Sequence, residues 1–98
     1  MDPLETPLQK AVSTGIIQDV KSLILNGVDI NSKNNKNRTP LYYAVLQNKA
    51  PIVNILLQNE ADPNTKDSYL ITPLHIAAGY GYIEIVKMLI ANCKGCQN

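Results

Sequence analysis

The tripeptide Thr-Pro-Leu occurs three times, at Thr6, Thr39 and Thr72, each 33 residues from the next. The register extends well beyond the tripeptide. Ala11, Ala44 and Ala77 hold equivalent positions, as do Val20, Val53 and Val86, and then Leu23, Leu56 and Leu89, each followed by Ile or Leu. Gly27-Val-Asp-Ile-Asn31 aligns with Glu60-Ala-Asp-Pro-Asn64, and no insertion interrupts the frame. A gapless period of this length marks an array of supersecondary units, none of which can bury its apolar face alone.

Each unit is readable from local chemistry. Threonine caps a helix through its hydroxyl, and proline at the first helical position is preset in φ and gives up no needed N–H. The spacing predicts a short helix through Leu41–Leu46 and its counterparts, with a small Ala at its centre so that a neighbouring helix can approach closely. Gly15 and Gly81 turn the chain into a second helix. Asn48 stands at the same place in the middle unit, as the residue next most tolerant of left-handed geometry. The second helix shows helical periodicity, as in Ile52, Val53, Leu56 and Leu57. Gly27 and the Asp-x-Asn segments then suit a tight exit turn. Three helix–turn–helix units with extended loops, spanning about residues 6–38, 39–71 and 72–98, make a single domain 1–98 of all-α class.

This pattern resembles the ankyrin-repeat family, and the third unit is closest to it: Asp67, then Thr72-Pro-Leu-His-Ile-Ala-Ala78, Gly81, Ile85-Val86 and Leu89-Ile90. The resemblance covers essentially the whole chain from Thr6. It implies antiparallel helix pairs stacked into a slightly curved solenoid, with β-hairpin-like fingers projecting at right angles. Two motif positions depart from the family. The hairpin glycine two residues before each Thr is replaced by Leu4, Asn37 and Leu70, and the motif histidine appears only as His75, with Gln9 and Tyr42 in its place.

The first repeat differs from the other two. Lys10 and Asp19 stand where later units carry Tyr43 and Ile52, or Ile76 and Ile85. These positions are expected to pack backward, so the first repeat reads as an N-terminal cap and Met1 as a natural start. At the far end Leu89 and Ile90 are as apolar as Leu56 and Leu57, so a C-terminal cap is missing. The expectation is a sticky end face: the chain is cut from a longer array, or a second copy or partner covers it.

Composition narrows the function. With 45% hydrophobic residues, 17% charged and a net charge of +1, the chain is globular and lacks the electrostatics of a nucleic-acid or membrane-surface binder. Its most apolar stretch, residues 82–91, falls short of the roughly 20 residues a bilayer span requires. No basic segment followed by an apolar one opens the chain, so it reads as soluble, intracellular and cytoplasmic. The sequon Asn37-Arg38-Thr39 precedes Pro40 and reads as unused. Five Tyr with no Phe or Trp fit thin layers rather than a deep centre.

Catalysis finds no footing. Cys93 and Cys96 form a lone CxxC that lacks two zinc ligands, and His75 cannot complete it. His75 is expected to bond Thr72 and a neighbouring loop's backbone. Gly79-Tyr-Gly81 lacks the preceding strand of a nucleotide site, and Asp29 and Asp62 are repeat-equivalent turn residues. The chain reads as a non-enzyme without metal or cofactor. Lys33, Lys36 and Arg38 make a basic cluster on the first finger, without the aromatic interleaving of a nucleic-acid surface.

The resemblance implies protein binding through finger tips and the ends of the first helices. Carried onto this chain, those positions are Asn35, Lys36 and Arg38 from the first finger and Ser68, Tyr69 and Ile71 from the second. Leu46, Gln47, Gly79 and Tyr80 follow at the helix ends. Tyr69 and Tyr80 are the expected anchors, with Arg38 and Lys36 setting charge selectivity. The function expected is an interaction module acting as adaptor, inhibitor or effector. The alternative is a structural or regulatory segment of a larger protein whose activity lies elsewhere.

Overall fold

Each Thr-Pro-Leu opens a helix. In the computed structural model, which describes residues 6–92, the hydroxyls of Thr6, Thr39 and Thr72 accept the N–H of Gln9, Tyr42 and His75 at 3.2, 3.3 and 3.2 Å. These caps start α1 (Pro7–Thr14), α3 (Pro40–Leu46) and α5 (Pro73–Tyr80). Each is followed by a slightly longer partner: α2 (Ile17–Leu25), α4 (Ala50–Gln58) and α6 (Ile83–Ala91). No strand occurs among the described residues. The CxxC of Cys93 and Cys96 lies outside them, as does Leu4.

The helices stop by a common device. Val28 N–H bonds Leu23 C=O, Lys49 N–H bonds Ala44 C=O, Ala61 N–H bonds Leu56 C=O and Tyr82 N–H bonds Ala77 C=O. Each of these six-residue closures needs a left-handed residue just before its donor. Gly27 (φ 84°) and Gly81 (φ 73°) supply it at no steric cost, and Asn48 (φ 57°) does so in the middle unit as the sequence predicts. The remaining one is Glu60 at φ 74°, a β-carbon-bearing residue in a glycine's role.

Stacking then forms two layers. α1, α3 and α5 pack side by side in one, α2, α4 and α6 in the other, and each helix also packs on its own hairpin partner. The first layer is the tighter, because Ala11, Ala44 and Ala77 lie buried along it. Between the layers runs one aliphatic core containing Val20, Leu41, Val45, Val53, Leu56, Ile85 and Leu89. Tyr42 is the one tyrosine buried among the described residues, which suits an interface only a side chain or two deep.

The backward-packing positions fall as their chemistry requires. Ile52 and Ile85 are buried, Tyr43 and Ile76 half-buried, and Lys10 and Asp19 exposed. At the other end the apolar pair divides: Leu89 is buried under α5, whereas Ile90 stands 42% exposed, unlike its buried equivalent Leu57. The exposed apolar area contributed there is therefore one side chain of the pair, smaller than the two that their apolarity suggests.

Candidate functional site

The loops between units form two fingers, each built around one buried polar side chain. In the first, Asn34 Oδ1 accepts the N–H of Lys36 and Arg38 at 3.0 and 3.1 Å. Asn34 N–H in turn bonds Arg38 C=O. In the second, Asp67 stands 33 residues later; its Oδ1 accepts the N–H of Tyr69 and Ile71 at 2.8 and 3.0 Å, and its N–H bonds Ile71 C=O. Asn34 and Asp67 are 5% and 4% exposed, so these bonds satisfy groups that water cannot reach. The turns are hairpin-like, closed by a backbone bond, but too short to count as strands.

Both turns require a left-handed residue, and it is the one that replaces glycine. Asn37 adopts φ 60° and Leu70 φ 65°. The departures from the family pattern therefore leave the turn intact. Asparagine tolerates this region, whereas for leucine it costs about 1–2 kcal/mol. The rest of the finger over-determines the conformation.

The fingers are tied to each other and to the helices beneath. Ser68 N–H donates to Lys36 C=O at 2.9 Å, and Asn37 Nδ2 reaches Ser68 Oγ at 3.4 Å. Arg38 Nε pairs with Asp67 Oδ2 at 3.3 Å, while its guanidinium lies 4.8 Å from the centre of the Tyr42 ring. Asn34 Nδ2 donates to Tyr43 Oη at 2.7 Å. Burial by itself raises the Asp67 carboxyl, but the N–H groups of Ile71 and Tyr69, together with Arg38, more than offset this and hold it below the usual carboxylate range.

The side chains proposed from sequence distribute unevenly over this scaffold. Asn35, Lys36 and Ser68 are exposed at the joined tips. Tyr69 is there too, 68% exposed. Ile71 is half-buried at the base, and Arg38 directs its charge into the Asp67 pair, leaving Lys36 as the outward cation. At the opposite end of the first helices, Leu46 is half-buried while Gln47 and Gly79 are exposed. Tyr80, 62% exposed, stacks on Tyr82 with ring centres 5.4 Å apart. The two tyrosines expected as anchors are therefore not neighbours. Tyr69 precedes α5 and Tyr80 is its last residue, so the helix's eight residues, about 12 Å at 1.5 Å per residue, separate the two ends.

Three contributors escape a reading of the sequence. Asn34 is the core of the first finger, and its 33-residue equivalence to Asp67 was the available signal. Tyr43 supports it from α3. Leu70 presents a 69% exposed side chain beside Tyr69, at a place where glycine is expected.

The chemistry expected of single residues is modified in two places. His75 Nδ1 accepts Thr72 N–H at 3.0 Å, completing a capping box, but the ring is exposed and its bonds stay within its own repeat. The bond from this motif position to a finger backbone belongs to Gln9, whose Nε2 donates to Arg38 C=O at 2.6 Å in the finger that follows α2. Asp29 and Asp62 accept the N–H of Asn31 and Asn64 in matching turns, as their repeat equivalence predicts. Among the described residues, no group of three His, Cys, Asp or Glu could hold a metal ion, and no helix is long and apolar enough to cross a membrane.

A family model for ankyrin repeats in three copies matches residues 8–98. No curated protein matches the chain.

Proposed function

Because the chain belongs to the ankyrin-repeat family, whose members are generally protein–protein interaction modules, we propose that it binds a partner protein through its finger tips and the concave side formed by α1, α3 and α5. In this reading it acts as an adaptor, inhibitor or effector in the cytoplasm, by occupying a partner's surface rather than by chemistry. One observation carries the proposal. Tyr69, Leu70 and Tyr80 are each more than 60% exposed, on fingers and helix ends that hydrogen bonds and caps hold rigid. Rigid aromatic side chains give contact area at low ordering cost, the usual character of interface anchors.

Their separation shapes the interaction. With the length of α5 between Tyr69 and Tyr80, a partner must span the face rather than fill one pocket. Affinity capture from the source cells, using wild type and the Tyr69→Ala, Tyr80→Ala double variant, tests the proposal. Both side chains project outward, so the variant should fold normally. Loss of one such anchor costs about 2 kcal/mol, on the order of 30-fold in affinity. Undiminished capture of every specific partner by the double variant would show that the face is not the contact.

A further inference from the structure

Cations occur throughout the described residues, Lys21 and Lys87 on α2 and α6 among them, but the exposed carboxylates keep to one part of the molecule. Of the carboxylates among the described residues, Asp19 and Glu84 lie on α2 and α6, and Asp29, Glu60 and Asp62 on the turns that leave α2 and α4. The sixth, Asp67, is 4% exposed and paired with Arg38. The distal part of each loop, residues 33–38 and 66–71, thus shows solvent no carboxylate, although Asp29 and Asp62 stand four residues before Lys33 and Lys66 in the same loops. The distal parts do show Lys33, Lys36 and Lys66, all exposed. Lys33 and Lys66 are 33 residues apart and so hold the same register on successive fingers, while Lys36 sits at the joint where Ser68 bonds its carbonyl.

Beside these cations stands an apolar pair. Tyr69 and Leu70 are 68% and 69% exposed at the tip of the second finger. Leu70 is held at φ 65°, which the turn imposes and which glycine would adopt freely. A strained, exposed leucine contributes little to the fold; strain of this kind gathers where a side chain is wanted for contact. The finger edge therefore offers two lysines in register, a third at the joint of the tips and a two-residue apolar anchor.

Resting on the interaction reading above, we infer that the joined finger tips receive an acidic peptide segment carrying at least one large apolar side chain. Lys33 and Lys66 complement its carboxylates, and Tyr69 and Leu70 take the apolar group. Adjacent repeats pack at roughly 10 Å, which an extended chain covers in about three residues. Acidic residues about three apart therefore match the lysine spacing. A nucleic acid is the less suitable polyanion: leucine offers no ring on which a base could stack, and Tyr69 is alone on this edge in doing so.

Selection of random 12-residue peptides displayed on phage against the whole chain tests the inference. Selected sequences are then synthesised, measured by fluorescence anisotropy at 50 and 300 mM NaCl, and mapped by amide chemical shifts. The expected peptides are acidic with an apolar residue, shift the amides of residues 35–37 and 68–70, and weaken as salt rises. Lys33→Glu with Lys66→Glu should weaken them by about tenfold or more, and Leu70→Gly, which relieves the backbone, should weaken them by a similar factor with the helical circular dichroism unchanged. Neutral or basic peptides selected at the same residues would overturn the acidic assignment and leave the interaction reading standing. So would a dT20 oligonucleotide that shifts the same amides and displaces the selected peptides. Selected peptides that map to α2, α4 and α6, or a selection that yields none, would overturn both.

Discussion

Glu60 and Gly27 occupy the same position one repeat apart, and exchanging their chemistry measures what the left-handed turn costs. Glu60 holds φ 74° and Gly27 φ 84°, each just after an outer helix and each followed by the same closing bond, Ala61 to Leu56 and Val28 to Leu23. A β-carbon in this region costs about 1–2 kcal/mol through its contact with the carbonyl oxygen. Glycine's extra freedom in the unfolded chain returns about 0.5–1 kcal/mol of that. The Glu60 side chain is exposed, and the carbonyl that accepts Asn31 Nδ2 at 3.1 Å remains after substitution. Glu60→Gly should therefore stabilise by about 0.5–1 kcal/mol. For a chain of this size that is about 3–6 °C in Tm. Gly27→Ala should move the other way by about 1 kcal/mol. A methyl there meets open space, so the loss would come from the backbone and not from a clash. Thermal and urea unfolding followed by far-UV circular dichroism read both shifts. A Glu60→Gly variant no more stable than wild type, paired with an unharmed Gly27→Ala, would refute the assignment of strain.

Asp67→Asn should keep the second finger's turn, since Asn34 closes the first one in the same way, but it removes the charge facing Arg38 and should cost about 2 kcal/mol. Because the folded Asp67 carboxyl lies below its ordinary range, its contribution is present at neutral pH and is lost as pH falls through that lowered value. Acid titration of stability should show this step in wild type and not in Asp67→Asn. Gln9→Ala removes a fully buried side chain that bonds Arg38 C=O at 2.6 Å, and urea unfolding should show a loss of about 2–3 kcal/mol. A loss well under 1 kcal/mol would mean that the bond does not fasten the first finger to α1.

Much of the fold was legible because its determinants are local. The Thr caps, the helices that follow and the left-handed Asn48 all depend on residues within one or two turns. The surroundings of the candidate residues were legible only in part. Lys36, Ser68 and Tyr69 reach the surface where the repeat register puts them, yet Arg38 turns inward to Asp67, and Ile71 is half-buried. Sequence registers could place all of these on fingers, but whether a side chain faces solvent or the next finger depends on a partner in another repeat.

From sequence alone, then, followed the period, the starts of the first helices and the stacking of three units, because capping, proline's fixed φ and apolar periodicity act within about four residues. Tertiary structure decided what distant parts of the chain do to one another. Gln9 reaches Arg38 C=O and Arg38 reaches Asp67, each across 29 residues, and Asn31 bonds the N–H of Asp62 across 31. Those distances in the chain become single hydrogen bonds only once the stack has formed. The same packing over-determines the second finger enough to hold Leu70 in a conformation that its own chemistry disfavours. That is why a leucine at a glycine position reads as an irregularity in the sequence and as a presented side chain in the structure.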